Sequence, residues 1–264
     1  MPVTAIFTIP RFQNAPGLDV VITATLRPDI LDLTLASFKR RFLSQTPNTR
    51  LIINIDPVGD AACCADDVLA VCHRYFSRIV YRAPKQASFP AAVKWGWEQV
   101  ETEFFLHLED DWLLKKTVDS DKIFAAFEAD ADLASIRFNL KRNPGNSLAS
   151  NGLSLNPSVM RRTFAQDALP FFSLALDPEK QFRHMEGQRL AALGRWRYHL
   201  YGLPGESAYV VDIGKKWRRF NRLDKWDGND TTVSWKKKRT ISAAAKIWYA
   251  AKYRIFLRYW KFIA

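Results

Sequence analysis

The stretch SFPAAVKWGWEQVETEFFLHLEDDW, running from Ser88 to Trp112, decides how the chain is read. Phe89, Ala92 or Val93, Gly96 or Trp97, and Val100 recur at helical spacing and form the inward face of one helix. Glu103 to Leu108 (EFFLHL) has the length and apolar character of a buried strand. It runs straight into three acids, Glu109, Asp110 and Asp111. Trp112-Leu113-Leu114 follows at once, so the acids are pinned between two buried segments.

Working outward, the same alternation repeats. Asp19 to Thr25 (DVVITAT) is a β-branched strand, and Pro28 opens a helix with Leu31, Leu35, Phe38 and Phe42 along one stripe. Leu51 to Ile55 (LIINI) is a second strand, ending at the turn signal Asp56-Pro57. Asp66 to Phe76 reads as a helix and Arg78 to Tyr81 as a short strand. Strand–helix alternation at this spacing predicts an α/β fold, a Rossmann-like, mostly parallel sheet flanked by helices. Ligands of such sheets sit beyond the carboxyl ends of the strands. Thr23 to Arg27, Asp56 and the acidic triplet therefore fall on one rim.

Beyond the triplet the pattern is less regular. Leu133 to Phe138 reads as a strand and Lys141 to Gly152 as a polar loop. A short helix is expected near Val159 to Phe164, and a longer one from Pro178 to about Leu193, stopped by Gly194. Ala208 to Asp212 (AYVVD) is a late strand. The expected organisation is one body over 1–233, with halves of about 19–114 and 115–233, and a tail over 234–264.

Three adjacent carboxylates repel one another and need a compensating cation or a solvated turn. Held between buried segments, they suit a hard divalent cation, Mg²⁺ or Mn²⁺, which takes one or two carboxylates and completes its shell with substrate phosphates. Other chemistries lack their residues. The four histidines, His73, His107, His184 and His199, are scattered, and His107 reads as a satisfied structural residue on its strand. Cys63, Cys64 and Cys72 fall in a span that looks helical, where they read as small apolar side chains in a reducing compartment. The chain holds neither a G-x-x-x-x-G-K-[ST] loop nor G-x-G-x-x-G nor G-x-S-x-G.

At this point the sequence resembles a family. VVITATLRP (Val20–Pro28), INIDP (Ile53–Pro57) and the Ser88–Trp112 stretch together look like the nucleotide-sugar half of a GT-A glycosyltransferase, family 2-like. The resemblance covers about Asp19 to Leu114 and implies a GT-A fold, a nucleotide-sugar donor and transfer to a hydroxyl of a glycan or lipid-linked acceptor, inverting at the sugar. It places Thr23, Thr25 and Arg27 in the nucleoside loop and Asp56 at the base. Lys94 falls toward the diphosphate, followed by Trp95 where the family carries Asn. Glu109, Asp110 and Asp111 occupy the D-x-D motif, with Asp111, then Glu109, as ligands of Mn²⁺ or Mg²⁺. Glu179 in DPEKQF matches the catalytic base, with Asp177 and Glu186 as alternatives. Asp212 in VVDIG stands where some relatives carry a further metal ligand.

Charge marks out the tail. The net charge is +12, and nine basic residues without an acid lie between Lys236 and Ala264, leaving only +3 for the rest. On a helix, Ile241, Ala245, Trp248, Ile255, Tyr259 and Phe262 share one face and Lys246, Arg254, Arg258 and Lys261 the other. A basic helix rich in Trp and Tyr suits an anionic membrane surface, so a cytoplasmic protein, peripheral on the membrane, is expected. Nucleic acid is the less favoured partner. The alternatives are a sugar nucleotidyltransferase, disfavoured by the glycine-free TATLRP loop, and a non-enzymatic nucleic-acid-binding protein using the tail.

Overall fold

A computed structural model describes residues 17–46, 48–141, 152–183, 185–229, 232–237 and 242–264. The first half follows the expected alternation: β1 (Asp19–Leu26), α1 (Pro28–Arg41), β2 (Arg50–Gly59), α2 (Ala65–Cys72), β3 (Ile79–Arg82), α3 (Phe89–Glu98) and β4 (Phe104–Glu109). Local chemistry sets the ends. Pro28 occupies the first turn of α1, Asp29 complements its amino end, and Lys39, Arg40 and Arg41 complement its carboxyl end. The Ser88 hydroxyl caps α3 by accepting from the Ala91 amide at 3.3 Å. Cys63 and Cys64 lie before α2 rather than within a helix, and Cys64 is its N-cap.

The second half contributes β5 (Trp112–Leu114), α4 (Ser120–Ala129), β6 (Leu133–Arg137), β7 (Ser158–Arg161), α5 (Arg162–Ala168), α6 (Lys180–Arg183), α7 (Gly187–Leu193), β8 (Arg197–Leu200), β9 (Val210–Asp212), α8 (Gly214–Phe220), β10 (Leu223–Asn229), β11 (Thr232–Lys237) and α9 (Ala243–Ile263). Two expectations fail here. Ser158–Arg161 is a strand, not the start of a helix, because it pairs antiparallel with both β4 and β6 and fills the gap between them. Val159 and Met160 are buried on its opposite faces, a placement a four-residue run cannot announce by itself. The expected helix from Pro178 to Leu193 is broken into α6 and α7. Glu186 is extended (φ −135°, ψ 164°) and Gly187 has φ +54°, a left-handed conformation that interrupts the helix. Residues 142–151 of the polar loop lie outside the described residues.

The main sheet has seven strands in the order β3-β2-β1-β4-β7-β6-β8. Strands β3, β2, β1 and β4 run parallel, β7 runs against them, and β6 and β8 are parallel to each other. This is the expected Rossmann-like, mostly parallel sheet flanked by helices. One face packs Leu31, Leu35 and Phe38 of α1 with Val68 and Val71 of α2. On the other face Trp97 is ringed by Phe105, Phe164, Phe172 and Phe182, at centroid distances of 5.8 to 6.5 Å. His107 shares that face and is fully buried, with Trp97 at 6.4 Å. The expectation of a satisfied histidine needs correcting: neither ring nitrogen has a hydrogen-bond partner among the described residues, and burial holds the ring neutral by lowering its pKa to about 4.

The amino ends of the parallel strands are fastened by Arg50, which pairs with buried Asp19 and with exposed Glu101. Arg50 on β2 donates to both carboxylate oxygens of Asp19 on β1, at 2.9 and 2.8 Å. Asp19 also accepts from the amides of Glu101 and Thr102. Burial pushes the Asp19 pKa up, but Arg50 and the two amides outweigh it and hold the carboxyl below its ordinary value. Asp19→Ala should cost about 3 kcal/mol at neutral pH, the usual penalty for breaking a buried pair. A carboxylate with a depressed pKa contributes stability above its unfolded pKa of about 3.9 and loses it as pH falls. The gap between wild type and variant in urea titrations should therefore narrow in acid; a gap independent of pH would contradict this role.

Candidate functional site

The carboxyl ends of β1 and β4 lie side by side, with Thr23 opposite Glu109 in the register. The chain leaves β1 through Thr25 and Arg27 and leaves β4 through Asp110 and Asp111. These residues interlock. Asp110 is buried and accepts from the Thr25 amide and hydroxyl, both at 2.9 Å, and from Arg27 Nε at 3.2 Å. Arg27 Nη2 pairs with Asp110 Oδ1 and approaches Asp111 Oδ2 at 3.1 Å. The Thr34 hydroxyl on α1 donates to the Asp110 carbonyl at 2.8 Å. Burial favours loss of the guanidinium proton, but Asp110 and Asp111 more than offset it, so Arg27 stays protonated.

A second pair of strands brings a fourth acid. β5 and β9 pair antiparallel with Trp112 opposite Asp212. The Ile213 amide donates to the Asp111 carbonyl at 2.9 Å, and the Gly214 amide to Asp212 Oδ1 at 2.8 Å. Gly214 is required by contact: a Cβ there would stand 1.9 Å from Asp111 Oδ2. Trp217, one turn along α8, lies beneath the guanidinium of Arg27 at 5.5 Å and donates to Asp29.

Asp110 and Asp111 thus contact the Arg27 guanidinium, Glu109 precedes them in the chain, and Asp212 lies near enough to Asp111 to be repelled by it. The electrostatic result is an excess of negative charge. Burial, then Asp111 and Asp110, push the Glu109 pKa up to about 8 against the pull of Arg27. Burial and Asp111 raise that of Asp212. Hard oxygen donors with uncompensated charge fit a Mg²⁺ or Mn²⁺ ion held by one or two carboxylates and by substrate phosphates. Among the described residues no group of three or more Asp, Glu, His or Cys side chains is placed to hold a metal ion, so these residues offer at most two such ligands.

The other predicted site residues are distributed along the rim and beyond it. Asp56 on β2 lies opposite Thr25 on β1. Its carboxylate accepts from Asn54 Nδ2 at 2.8 Å and from the Ser88 amide at 3.2 Å, and burial raises its pKa. Arg82 donates to Asn54 Oδ1 at 2.8 Å and stacks over Trp95 at 5.0 Å. Lys94 is paired with Glu98 one turn along α3. Glu179 accepts from the Ser154 hydroxyl at 3.0 Å and the Leu155 amide at 2.8 Å, and pairs with Arg183. It fastens residues 154–155 to α6, whereas Asp177 caps that helix through the Glu179 and Lys180 amides. The sequence carries no signal for Thr34, Arg82 or Trp217. Gly214 is visible after VVDI, but its meaning depends on contact with Asp111, about a hundred residues away.

No protein-family model matches this sequence, and no curated protein matches it significantly. Solved structures do match in shape. The TarS fragment 1–349 of S. aureus, in complex with UDP-GlcNAc, aligns with 74% of this chain at 14% identity and a TM-score of 0.48. This chain spans 58% of that fragment's length. The mannosyltransferase PcManGT from Pyrobaculum calidifontis, in complex with GDP-Man and Mn²⁺, aligns with 78% of this chain and 61% of its own, at 11% identity and a TM-score of 0.46. A CMP:2-keto-3-deoxy-manno-octonic acid synthetase complexed with CTP aligns with 78% of this chain and 98% of its own, at 12% identity and a TM-score of 0.46. These are distant likenesses in the path of the chain and carry no argument about its chemistry.

Proposed function

We propose that the protein uses a nucleotide-sugar donor and transfers its sugar, with inversion, to a hydroxyl of a glycan or lipid-linked acceptor. The observation that carries the reading is the carboxylate cluster around Arg27 at the carboxyl edge of a parallel sheet, where such folds take their ligands. Asp111 and Glu109 would hold Mn²⁺ or Mg²⁺. Such an ion neutralises the charge that builds on a departing diphosphate. Thr23, Thr25 and Asp56 line the same rim for the nucleoside, and Arg27 with Asp110 holds Thr25 in place. Lys94, on the helix that starts at this rim, is assigned to the donor's diphosphate.

Glu179 is the proposed base, removing the acceptor proton as the sugar carbon is attacked. Its bonds to Ser154, Leu155 and Arg183 would hold the carboxylate in place. Glu179→Gln tests the assignment: turnover should fall by about 10²–10⁴-fold with donor binding intact. A loss of melting temperature without a selective loss of turnover would make Glu179 a fastening residue only.

The broader reading is tested by thermal shift with UDP, GDP, CDP and dTDP, each with and without Mn²⁺. One nucleotide should raise the melting temperature more with the ion than without, since a ligand held only by the native state stabilises it. A flat response across the panel would remove the nucleotide-sugar reading altogether. Cleavage of a nucleoside triphosphate with release of pyrophosphate would instead favour the nucleotidyltransferase.

A further inference from the structure

Helix α9 has two apolar stripes, and only one of them is covered. Phe256 and Trp260 are buried against Ile30, Leu33 and Trp217, with Tyr253 and Leu257 beside them. Arg41 on α1 secures the helix by donating to the Ile263 and Ala264 carbonyls. This body-facing stripe is not the one that the sequence pattern singled out. The stripe of Trp248, Ile255, Tyr259 and Phe262 points away from the body, with side chains 51%, 66%, 57% and 88% exposed. Ile241 of that pattern lies outside the described residues.

The surroundings of the free stripe are cationic. Lys252 stands over the Trp248 ring at 3.7 Å, and Arg254, Arg258 and Lys261 are exposed along the flank. No acid occurs between residues 231 and 264. Helix α8, which packs against α9 through Phe220 and Trp217, adds exposed Lys215, Lys216 and Arg219.

We propose that the outer stripe of α9 docks on an anionic lipid surface and lies in the plane of its headgroups. An exposed apolar stripe carrying Trp and Tyr and flanked by cations matches the amphipathic character of that interface. Each nearby Lys or Arg is attracted by the negative surface potential, and the apolar side chains enter the boundary layer. A second copy of the chain is a poorer occupant. A two-fold contact through this stripe would set Lys252 and Arg258 against their own counterparts, with no acid on the helix to pair them. None of the described helices is long and apolar enough to cross a membrane, so docking here is surface attachment. At 21 residues, α9 extends about 30 Å along such a surface. Helix α8 begins at Gly214 against Asp111 and ends on α9, so a docked α9 holds the carboxylate cluster about one short helix from the lipid.

The test uses the full chain, because the inner stripe of α9 belongs to the core and deleting the helix would uncover Trp217. Sedimentation is measured with phosphatidylcholine vesicles and with phosphatidylcholine–phosphatidylglycerol vesicles, at low and high salt. Wild type should bind the anionic vesicles, bind the neutral ones weakly, and lose part of its binding in salt. The variant Trp248→Gln, Ile255→Gln, Phe262→Gln keeps every charge and should lower the bound-to-free ratio by about tenfold or more. Should that variant misfold, Lys252→Gln with Arg258→Gln decides, since it spares the stripe and should lower binding to anionic vesicles at low salt by about tenfold, with less loss at high salt. Wild type failing to bind anionic vesicles would overturn the proposal. So would a folded triple variant that binds like wild type, or a dimer in solution that the triple variant splits while vesicles are ignored.

Discussion

Asp111→Asn should lower turnover by about 10²–10³-fold, the scale seen when a group that stabilises transition-state charge is removed. The same variant should lose the Mn²⁺-dependent part of its nucleotide-induced thermal shift. The substitution keeps the shape of the side chain beside Gly214 and removes one charge. That charge acts in both directions: Asp111 repels Glu109 and Asp212 but also pairs with buried Arg27 at 3.1 Å. The ligand-free variant should therefore melt close to the wild-type temperature while being inactive. Lost activity without lost stability is what a charge kept for function produces. Unchanged turnover, or a fall in stability large enough to explain the lost activity, would remove Asp111 from the proposed cation site.

Arg27→Met should destabilise the fold by about 3–5 kcal/mol, because it leaves a buried charge without its partner. Arg27 and Asp110 are both almost fully buried, and Asp110 has Glu109 and Asp111 as chain neighbours. Against a total stability of about 5–15 kcal/mol, the variant stands near the margin of folding. Replacing Asp110 as well, by Asn, removes the stranded charge and should recover part of the loss. The two changes are in direct contact and should not add. Urea titrations of the single and double variants measure this. A single variant within about 1 kcal/mol of wild type, or a double variant no better than the single, would mean that Arg27 does not hold the site loop.

Much of this architecture is written locally. β-branched runs at Asp19–Thr25 and Leu51–Ile55, the helical spacing from Phe89 to Val100, and the acids closing β4 suffice for a parallel sheet with a polar rim. Each is a short-range pattern whose period the backbone enforces, so it survives without knowledge of partners. Thr25, Arg27, Asp110 and Asp111 meet because β1 and β4 are neighbours at the point where the strand order reverses, which sequential βαβ order does not announce. Their division of labour was suggested only by the family resemblance. Residue type and position do not separate the three acids; in the fold Asp110 turns inward to Thr25 and Arg27, whereas Asp111 stands against Gly214.

The second half shows the opposite case. The four residues of β7 became a strand because β4 and β6 each offered an open edge, and hydrogen bonds to two neighbours outweigh any local preference in so short a run. Asp212 joins the acidic cluster only through the β5–β9 pairing, which spans a hundred residues. The tail makes the same point. Its sequence gives the helix and its cations, but two apolar stripes on one helix look alike until α1 and α8 are in place to cover one of them. Periodicity determines which residues share a face. Only the tertiary packing decides which face has a partner, because burial is a property of two surfaces and a sequence pattern describes one.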